Sequence, residues 1–298
     1  MKQYHFISGL PRSGTTLLGA ILKQNPRFTA GISDPLHGFI HGIIRETNTA
    51  VGMDASVPIH KRRELIKDLF ASFYKHDNQV CFNTNRAWCA DTALLKDIFP
   101  DFKMIVCVRH VPWILDSFER LNNRNPHTIK PLYHHQMLAN VTERCMMLMG
   151  EIPNFGGYVM APLLNVQQSM FCEHRNHLCF VDYDTLVQNP RQTVWDIYKF
   201  LGEPVFDHDF ANVQDNYDEF DQQAKIQGLH TVRPVVSAPD RQTVLPDSLW
   251  NKYASQTFWR SDFSQFSHLN WMGMNLSTTQ PVPRQMSPKR PPPTGRQL

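Results

Sequence analysis

Residues 9–16 read Gly-Leu-Pro-Arg-Ser-Gly-Thr-Thr, and they join a predicted strand to a predicted helix. An apolar run precedes it at residues 4–8, and a helical apolar pattern follows at 17–22. The two glycines, five positions apart, allow a tight turn whose backbone N–H groups point at one anion, at the positive end of the helix. The stretch therefore predicts an anion-binding loop.

This loop differs from the P-loop of nucleoside-triphosphate enzymes at one decisive position. It keeps the Gly-x-x-x-x-Gly spacing, but Thr15 occupies the lysine position and the loop's cation, Arg12, lies three residues earlier. A triphosphate loop uses its lysine to contact the β- and γ-phosphates and a hydroxyl to hold magnesium. The guanidinium, hydroxyls and amides here favour binding of a compact anion. The alternative function is that of a P-loop kinase or NTPase.

A second anion site is predicted about one hundred residues later. The mainly apolar run at residues 102–108 is typical of a buried parallel strand, and it ends at Arg109. Pro112 then begins a helical pattern that places Ser117 about two turns further on. Open α/β sheets bind ligands at the carboxyl ends of their strands, so Arg109 is expected to face a ligand there.

Strand and helix patterns alternate from residue 4 to about 205, which predicts an α/β fold. We expect a central parallel β-sheet flanked by helices, with a P-loop-like nucleotide-binding topology. A chain of 298 residues, 42% of them hydrophobic, can build the core of one large domain, which we place at residues 1–276. Residues 277–298 are rich in proline and polar side chains, and this composition predicts a disordered tail.

On these motifs the chain resembles the sulfotransferases that use 3′-phosphoadenosine 5′-phosphosulfate (PAPS). The loop is similar to their 5′-phosphosulfate loop, most of all in the tyrosylprotein and bacterial branches. The Arg109-x7-Ser117 pair is similar to their 3′-phosphate site, and the strand before Tyr183 is similar to their Tyr-Glu-x-Leu segment. The resemblance implies transfer of a sulfuryl group from PAPS to an acceptor hydroxyl or amine, leaving adenosine 3′,5′-bisphosphate.

The resemblance also implies a set of cofactor-binding residues. Arg12 would neutralise the leaving 5′-phosphate. Tyr183 would contact the adenosine, or would be a half-buried tyrosine at the end of a strand. Arg233, from the C-terminal part of the domain, would add a positive charge at the 3′-phosphate. Fixed donors of this kind stabilise a singly charged sulfuryl group without a metal, so no metal ligand is assigned. The full set is Pro11, Arg12, Ser13, Gly14, Thr15, Thr16, Arg109, Ser117, Tyr183 and Arg233.

The general base is the least determined part of the predicted site. Asn85 occupies the position where cytosolic relatives carry a histidine base, and it cannot accept a proton. By resemblance to the glutamate of the tyrosylprotein enzymes, Asp34 is the first candidate and His37 the second. Asp34 is also well placed for an Asx turn before Pro35. Without a base the chain would be a non-catalytic nucleotide-binding protein.

Charge and hydropathy restrict the partners. A net charge of +3 suits an anionic cofactor but does not indicate nucleic-acid binding. No run of 18 apolar residues occurs, and the first predicted strand begins at residue 4, so we expect no membrane partner and a cytoplasmic location.

The cysteines form no C-x-x-C pair, and the histidines at 37 and 41 and at 134 and 135 are expected in polar roles. The acceptor is a small molecule, a carbohydrate or a peptide.

Overall fold

Six parallel strands form one sheet in this computed structural model, in the order β2-β3-β1-β4-β5-β6. The structure describes residues 2–49, 56–127, 133, 138, 140–238, 240, 242–260 and the backbone of 270–271, so the predicted tail at 277–298 and the histidines at 134 and 135 lie outside the described residues. The strands are β1 (Gln3–Gly9), β2 (Phe28–Thr29), β3 (Val80–Thr84), β4 (Met104–Val108), β5 (Leu178–Asp182) and β6 (Asn270–Trp271).

Helices connect the strands and cover the sheet, which confirms the predicted α/β fold with a central parallel sheet. The described helices are α1 (Thr15–Leu22), α2 (Leu36–Thr49), α3 (Ile59–Phe73), α4 (Thr92–Ile98), α5 (Val111–Arg124), α6 (Val141–Leu148), α7 (Met160–Phe171), α8 (Tyr183–Gln188), α9 (Pro190–Leu201), α10 (Asp218–Gln223) and α11 (Asp247–Tyr253). Short 3₁₀ turns lie at Arg86–Ala90, Arg175–His177 and Phe258–Arg260. None of the described helices combines the length and apolar character that crossing a bilayer requires.

The sheet has an apolar layer on each face, because successive strand residues point to opposite sides. On β1, Phe6 packs into one hydrophobic cluster and Ile7 into the other. On β4, Val106 belongs to the first cluster and Cys107 to the second. Burial on both faces explains why β4 and β5 are almost continuously apolar in sequence.

Gly9 is the first residue of the predicted anion-binding loop. Its φ is +124°, and a Cβ at this position would lie 2.0 Å from the carbonyl oxygen of Cys107 on β4. A side chain therefore cannot fit between β1 and β4 at this point. The backbone N–H of Leu10 donates to the same carbonyl at 2.9 Å, which fixes the loop at the carboxyl end of β1, between β3 and β4.

Candidate active site

A cavity of about 530 Å³ opens where the central strands end. Ser8 at the end of β1, Thr84 at the end of β3, Arg109 directly after β4 and Tyr183 directly after β5 all line it. This is the ligand position expected in an open parallel sheet. The volume falls within the usual range for a small-molecule site, about 300–1,000 Å³.

The cavity is strongly positive. Four arginines line it, at positions 12, 86, 109 and 233, and none of the described lining residues is an aspartate or glutamate. Surplus cations in a recess attract anions, and recessed surfaces concentrate their field. The cavity therefore suits a ligand that carries several negative charges.

The loop presents its backbone and threonines to this cavity. Gly14 is the residue before α1, has a φ of +95°, and would clash with the Tyr183 ring if it carried a Cβ, at 2.8 Å. No side chain caps α1 and its first turn has no acidic residue, so the amides at its start are offered to an anion. Pro11, Thr15 and Thr16 line the cavity as predicted.

Ser13 is placed differently from the other loop residues. Its side chain is buried, and its hydroxyl donates to the Leu10 carbonyl at 2.6 Å. It is not among the described residues that line the cavity. Ser13 therefore holds the turn closed, and its hydroxyl proton is directed to Leu10 and not into the cavity.

Arg12 links three segments that are distant in sequence. Its Nε donates to Ser117 Oγ on α5 at 3.0 Å, and its Nη1 donates to the Leu229 carbonyl. The resemblance placed Arg12 at the 5′-phosphate and Ser117 at the 3′-phosphate. The structure brings both into one contiguous wall of the cavity.

Arg109 is a buried cation with an unsatisfied donor. Only 7% of its surface is exposed, its Nη1 donates to the Arg12 carbonyl at 2.9 Å, and its guanidinium lies 4.0 Å from the centre of the Tyr183 ring. Burial lowers its pKa, yet a guanidinium stays charged at any physiological pH. Its Nε has no hydrogen-bond partner among the described residues, which is costly unless a ligand supplies one.

The carboxylates that act electrostatically on Arg109 are hydrogen-bonded to other arginines. Asp116 accepts from Arg120 Nε at 3.0 Å. Both oxygens of Asp182 accept from Arg260, at 2.8 and 3.0 Å, and the indole of Trp259 donates to one of them at 3.1 Å. Asp184 accepts from Arg260 at 2.7 Å. These pairs leave Arg109 without an ion-pair partner in the described part of the chain, so its charge remains available to an anion.

A histidine–aspartate pair that the sequence analysis missed lines the same cavity. His230 Nδ1 lies 2.5 Å from Asp221 Oδ1, and the His230 backbone N–H donates to Asp221 Oδ2 at 2.8 Å. Asp221 is buried, and the imidazole retains 18% exposure. Burial lowers the pKa of His230 and the nearby guanidinium groups of Arg12 and Arg86 add to this, while Asp221 opposes them.

The second wall of the cavity carries Arg86. Its guanidinium lies 4.2 Å from the centre of the Tyr158 ring, and both residues line the cavity. Asn85, the neighbouring residue, accepts from the Ala87 backbone N–H at 3.0 Å. Asn85 therefore caps the following 3₁₀ turn.

Asp34, the first candidate for the base, lies in a structural network. Its carboxylate accepts from the Leu36 backbone N–H at 2.9 Å, from Tyr74 Oη at 3.1 Å and from Asn83 Nδ2 at 2.5 Å. Burial raises its pKa, and these three hydrogen bonds oppose the rise. The bond to Leu36 is the Asx turn considered from sequence, and Asp34 is not among the described residues that line the cavity.

Of the remaining predicted residues, those proposed for the cofactor line the cavity and the second candidate base does not. Arg233 is exposed and lines the cavity, as does Tyr183. His37 is not among the described lining residues, and its Nε2 lies 2.7 Å from Asp91 Oδ2. The structure thus brings the predicted cofactor residues together, except for the Ser13 hydroxyl, and leaves both predicted bases outside.

Comparison with known proteins identifies the family. The model of the sulfotransferase family matches residues 5–208, well over half of the chain. No curated protein sequence matches the chain.

Solved structures of sulfotransferases align with this chain at low sequence identity. A sulfotransferase from Alicyclobacillus acidocaldarius is 16% identical over 75% of this chain and 89% of its own, with a TM-score of 0.49. The sulfotransferase domain from the curacin biosynthetic pathway is 15% identical over 86% and 91%, with a TM-score of 0.48. A mouse sulfotransferase complexed with PAP is 13% identical over 89% and 88%, with a TM-score of 0.44. On the family match, the chain belongs to the sulfotransferase family and is an enzyme of that kind.

Proposed function

We propose that this sulfotransferase takes its sulfuryl group from PAPS and transfers it to a hydroxyl or amine. The observation that carries the proposal is the cavity itself, lined by four arginines and by no acidic residue among those described. PAPS supplies the sulfuryl group and leaves as adenosine 3′,5′-bisphosphate, so both forms need several fixed cations. The carboxylate that a magnesium nucleotide site would use is not among the described lining residues.

The residues of the cavity fit such a ligand. Arg109 and Ser117 would hold the 3′-phosphate, because the Arg109 Nε lacks a partner and a buried guanidinium binds phosphate through two parallel hydrogen bonds. Arg12, the threonine hydroxyls at 15 and 16 and the first amides of α1 would hold the 5′-phosphate. Tyr183, flat against Arg109, would contact the adenosine.

His230 is the residue we propose as general base. The Nδ1–H of His230 would donate to Asp221 Oδ1, which fixes the ring and leaves Nε2 as the proton acceptor. Because burial keeps the pKa of His230 below its ordinary value, the imidazole is neutral at pH 7 and can take the proton of the acceptor. The buried carboxylate then stabilises the imidazolium that forms.

Fixed cations would stabilise the charge that develops during transfer. Arg12 and Arg86 lie close enough to His230 to influence its pKa, so both guanidinium groups are near the proposed reaction centre. Preorganised donors in a partly enclosed site stabilise a developing anion without reorganisation of solvent. Arg12 would act on the leaving phosphate, and Arg86 on the sulfuryl oxygens.

The acceptor would be partly apolar. Phe118, Tyr158, Phe220 and Ile226 line the cavity together with the arginines. A hydroxylated small molecule, a carbohydrate or a peptide side chain can present a hydroxyl to His230. Aromatic and aliphatic lining favours those acceptors that carry an apolar face.

Acceptor-dependent turnover of PAPS tests this proposal. The full chain is incubated with PAPS and a panel of phenols, alcohols, amines and sugars, without added magnesium, and adenosine 3′,5′-bisphosphate is measured. We expect bisphosphate to form with at least one acceptor class. Hydrolysis of ATP with magnesium, together with no turnover of PAPS, would instead support a P-loop kinase or NTPase.

A further inference from the structure

Three potential metal ligands meet outside the cavity. His37 and His41 lie one turn apart on α2, and Asp91 lies between the 3₁₀ turn at 86–90 and α4. Their Nε2 atoms lie 2.7 and 3.0 Å from the same carboxylate oxygen, Asp91 Oδ2, and the two imidazole rings are 4.4 Å apart. All three ligand atoms lie within 4.8 Å of one another.

Asp91 is turned away from its ordinary local role. It precedes α4 in the N-cap position, where an aspartate side chain normally accepts from the first amides of the helix. Here it makes no such capping bond, and its carboxylate faces the two histidines. The local sequence would favour capping, so the convergence on His37 and His41 is a tertiary feature.

We propose that His37, His41 and Asp91 form a binding site for a divalent transition metal of the zinc type. Two imidazole nitrogens and one carboxylate are the ligands that zinc and its neighbours prefer, whereas magnesium and calcium favour oxygen ligands throughout. Three protein ligands leave a fourth position for water or another ligand.

Metal binding requires a rearrangement of the three side chains. In a tetrahedral site with bonds of about 2.0–2.1 Å, neighbouring ligand atoms lie about 3.3 Å apart. The observed separations of 2.7 and 3.0 Å would have to open by about 0.6 and 0.3 Å. The two Nε2 atoms, which lie within 4.8 Å of each other, would have to come to the same spacing. Rotation of the Asp91 carboxylate, which is 17% exposed, and of His41, which is 45% exposed, can supply that change.

A metal at this position would tie α2 to a wall of the active site. The His37 ring packs edge-on against Trp88 at 4.7 Å, and Trp88 belongs to the same 3₁₀ turn as Arg86. Ser33, just before α2, also lines the cavity. The metal would therefore hold together two segments that each supply a residue to the cavity.

Calorimetric titration of the metal-free full chain with zinc chloride tests the proposal without an activity readout. Loss of an outer-sphere partner already weakens metal sites by about 10–100-fold, so loss of a ligand in His41→Ala or Asp91→Asn should weaken binding by about 100-fold or more. His60→Ala and His76→Ala remove exposed histidines elsewhere and should leave the affinity unchanged. Circular dichroism confirms that each variant is folded.

A second readout identifies the ligands. Cobalt bound in a four-coordinate site gives visible d–d absorption, which should appear in the parent chain and disappear in His41→Ala. Absence of a stoichiometric zinc site, or equal zinc affinity in the parent chain and both ligand variants, would overturn the proposal. Five of the six cysteines are buried, so thiols offer little competition for the metal.

Discussion

At the scale of single residues, His230 and Asp34 are the two alternatives for the general base, and they differ in position and in hydrogen bonding. His230 lines the cavity and is held by the buried Asp221, whereas Asp34 is held by Leu36, Tyr74 and Asn83. A carboxylate that already accepts three hydrogen bonds is poorly available to an acceptor hydroxyl. The imidazole has one ring nitrogen left for it.

We therefore predict that His230→Gln lowers kcat by about 10²–10⁴-fold, the usual contribution of a general base. Affinity for adenosine 3′,5′-bisphosphate should change little, because the glutamine does not remove a phosphate ligand. Asp34→Asn, checked for folding, should retain far more activity than His230→Gln. The reverse order of the two variants would return the base to Asp34.

The pH profile offers an independent check on the same residue. Burial lowers the pKa of His230 from 6.5, so the imidazole is unprotonated at neutral pH. The kcat/KM of the parent enzyme, which reports groups of the free enzyme, should be level near pH 7 and fall as the pH drops through that lowered value. This acid limb should be absent from the residual activity of His230→Gln.

Sequence reasoning reached the residues that line the cavity at the loop and after β4, but not the base that we propose. The loop at 9–16 and the Arg109-Ser117 pair are local patterns, so their spacing alone indicates a function. His230 and Asp221 become partners only because the chain turns back after α10. Nothing in their nine-residue separation marks a catalytic pair, and the resemblance directed attention to Asp34.

At the scale of elements, β1 contains a buried histidine that makes the sheet sensitive to acid. His5 is 4% exposed, its Nδ1 accepts from the Lys103 backbone N–H at 3.3 Å, and its Nε2 has no partner among the described residues. Burial, with a smaller contribution from Lys103, lowers the pKa of His5 to about 4 from an ordinary value of 6.5. The native strand therefore holds this histidine neutral.

The consequence is a loss of stability on acidification. Between pH 6.5 and 4 the unfolded chain binds a proton at His5 that the folded chain does not, so the free energy of unfolding falls as the pH is lowered. The linkage relation gives a loss of about 2 kcal/mol between neutral pH and about pH 5. His5→Gln keeps an acceptor for Lys103 and should remove that part of the loss.

Urea unfolding of both proteins at the two pH values measures this difference. Burial also lowers the pKa of another histidine, His208, to about 4. The His5→Gln variant keeps His208, so its stability should still fall on acidification, but by less than that of the parent chain. An unchanged pH dependence in His5→Gln would show that His5 protonates without cost in the folded state. The element-scale account of β1 would then be wrong.

Periodicity and apolar runs predicted the elements unevenly. β1, β4 and β5 are long buried runs, and the sequence placed each of them. β2 and β6 span two residues each, which is too short for a pattern to appear, and pairing with β3 and β5 defines them. The position of α2 against the 86–90 turn, and with it the His37-His41-Asp91 cluster, depends on tertiary packing.

At the scale of the whole molecule, the proposed active site is assembled from distant parts of the chain. The loop at 9–16, the end of β4 with α5, the start of α8 and the segment 224–237 all reach the same cavity. Arg12 bonds to Ser117 and to the Leu229 carbonyl, so it joins three of these parts. The first three of these parts follow parallel strands that end at one edge of the sheet, so their convergence is predictable. The segment 224–237 follows no such strand, and its position is not predictable in this way.

We propose that this cavity recognises a nucleotide through its 3′-phosphate. Arg109 is the residue best suited to bind that phosphate, because it is buried, lacks an ion-pair partner in the described chain and retains an unsatisfied Nε donor. Removal of one partner of a buried charged contact costs about 2–5 kcal/mol of binding free energy. Arg191, which is 57% exposed on α9 and pairs with Asp207, provides a matched arginine away from the cavity.

Titration calorimetry with adenosine 3′,5′-bisphosphate, with AMP as the nucleotide control and no added metal, is the most direct test. The account predicts strong preference for the bisphosphate in the parent chain and in Arg191→Ala. In Arg109→Ala, bisphosphate binding should weaken by about 2–5 kcal/mol. Equal affinity of the parent chain for the two nucleotides, or unchanged bisphosphate affinity in Arg109→Ala, would contradict it.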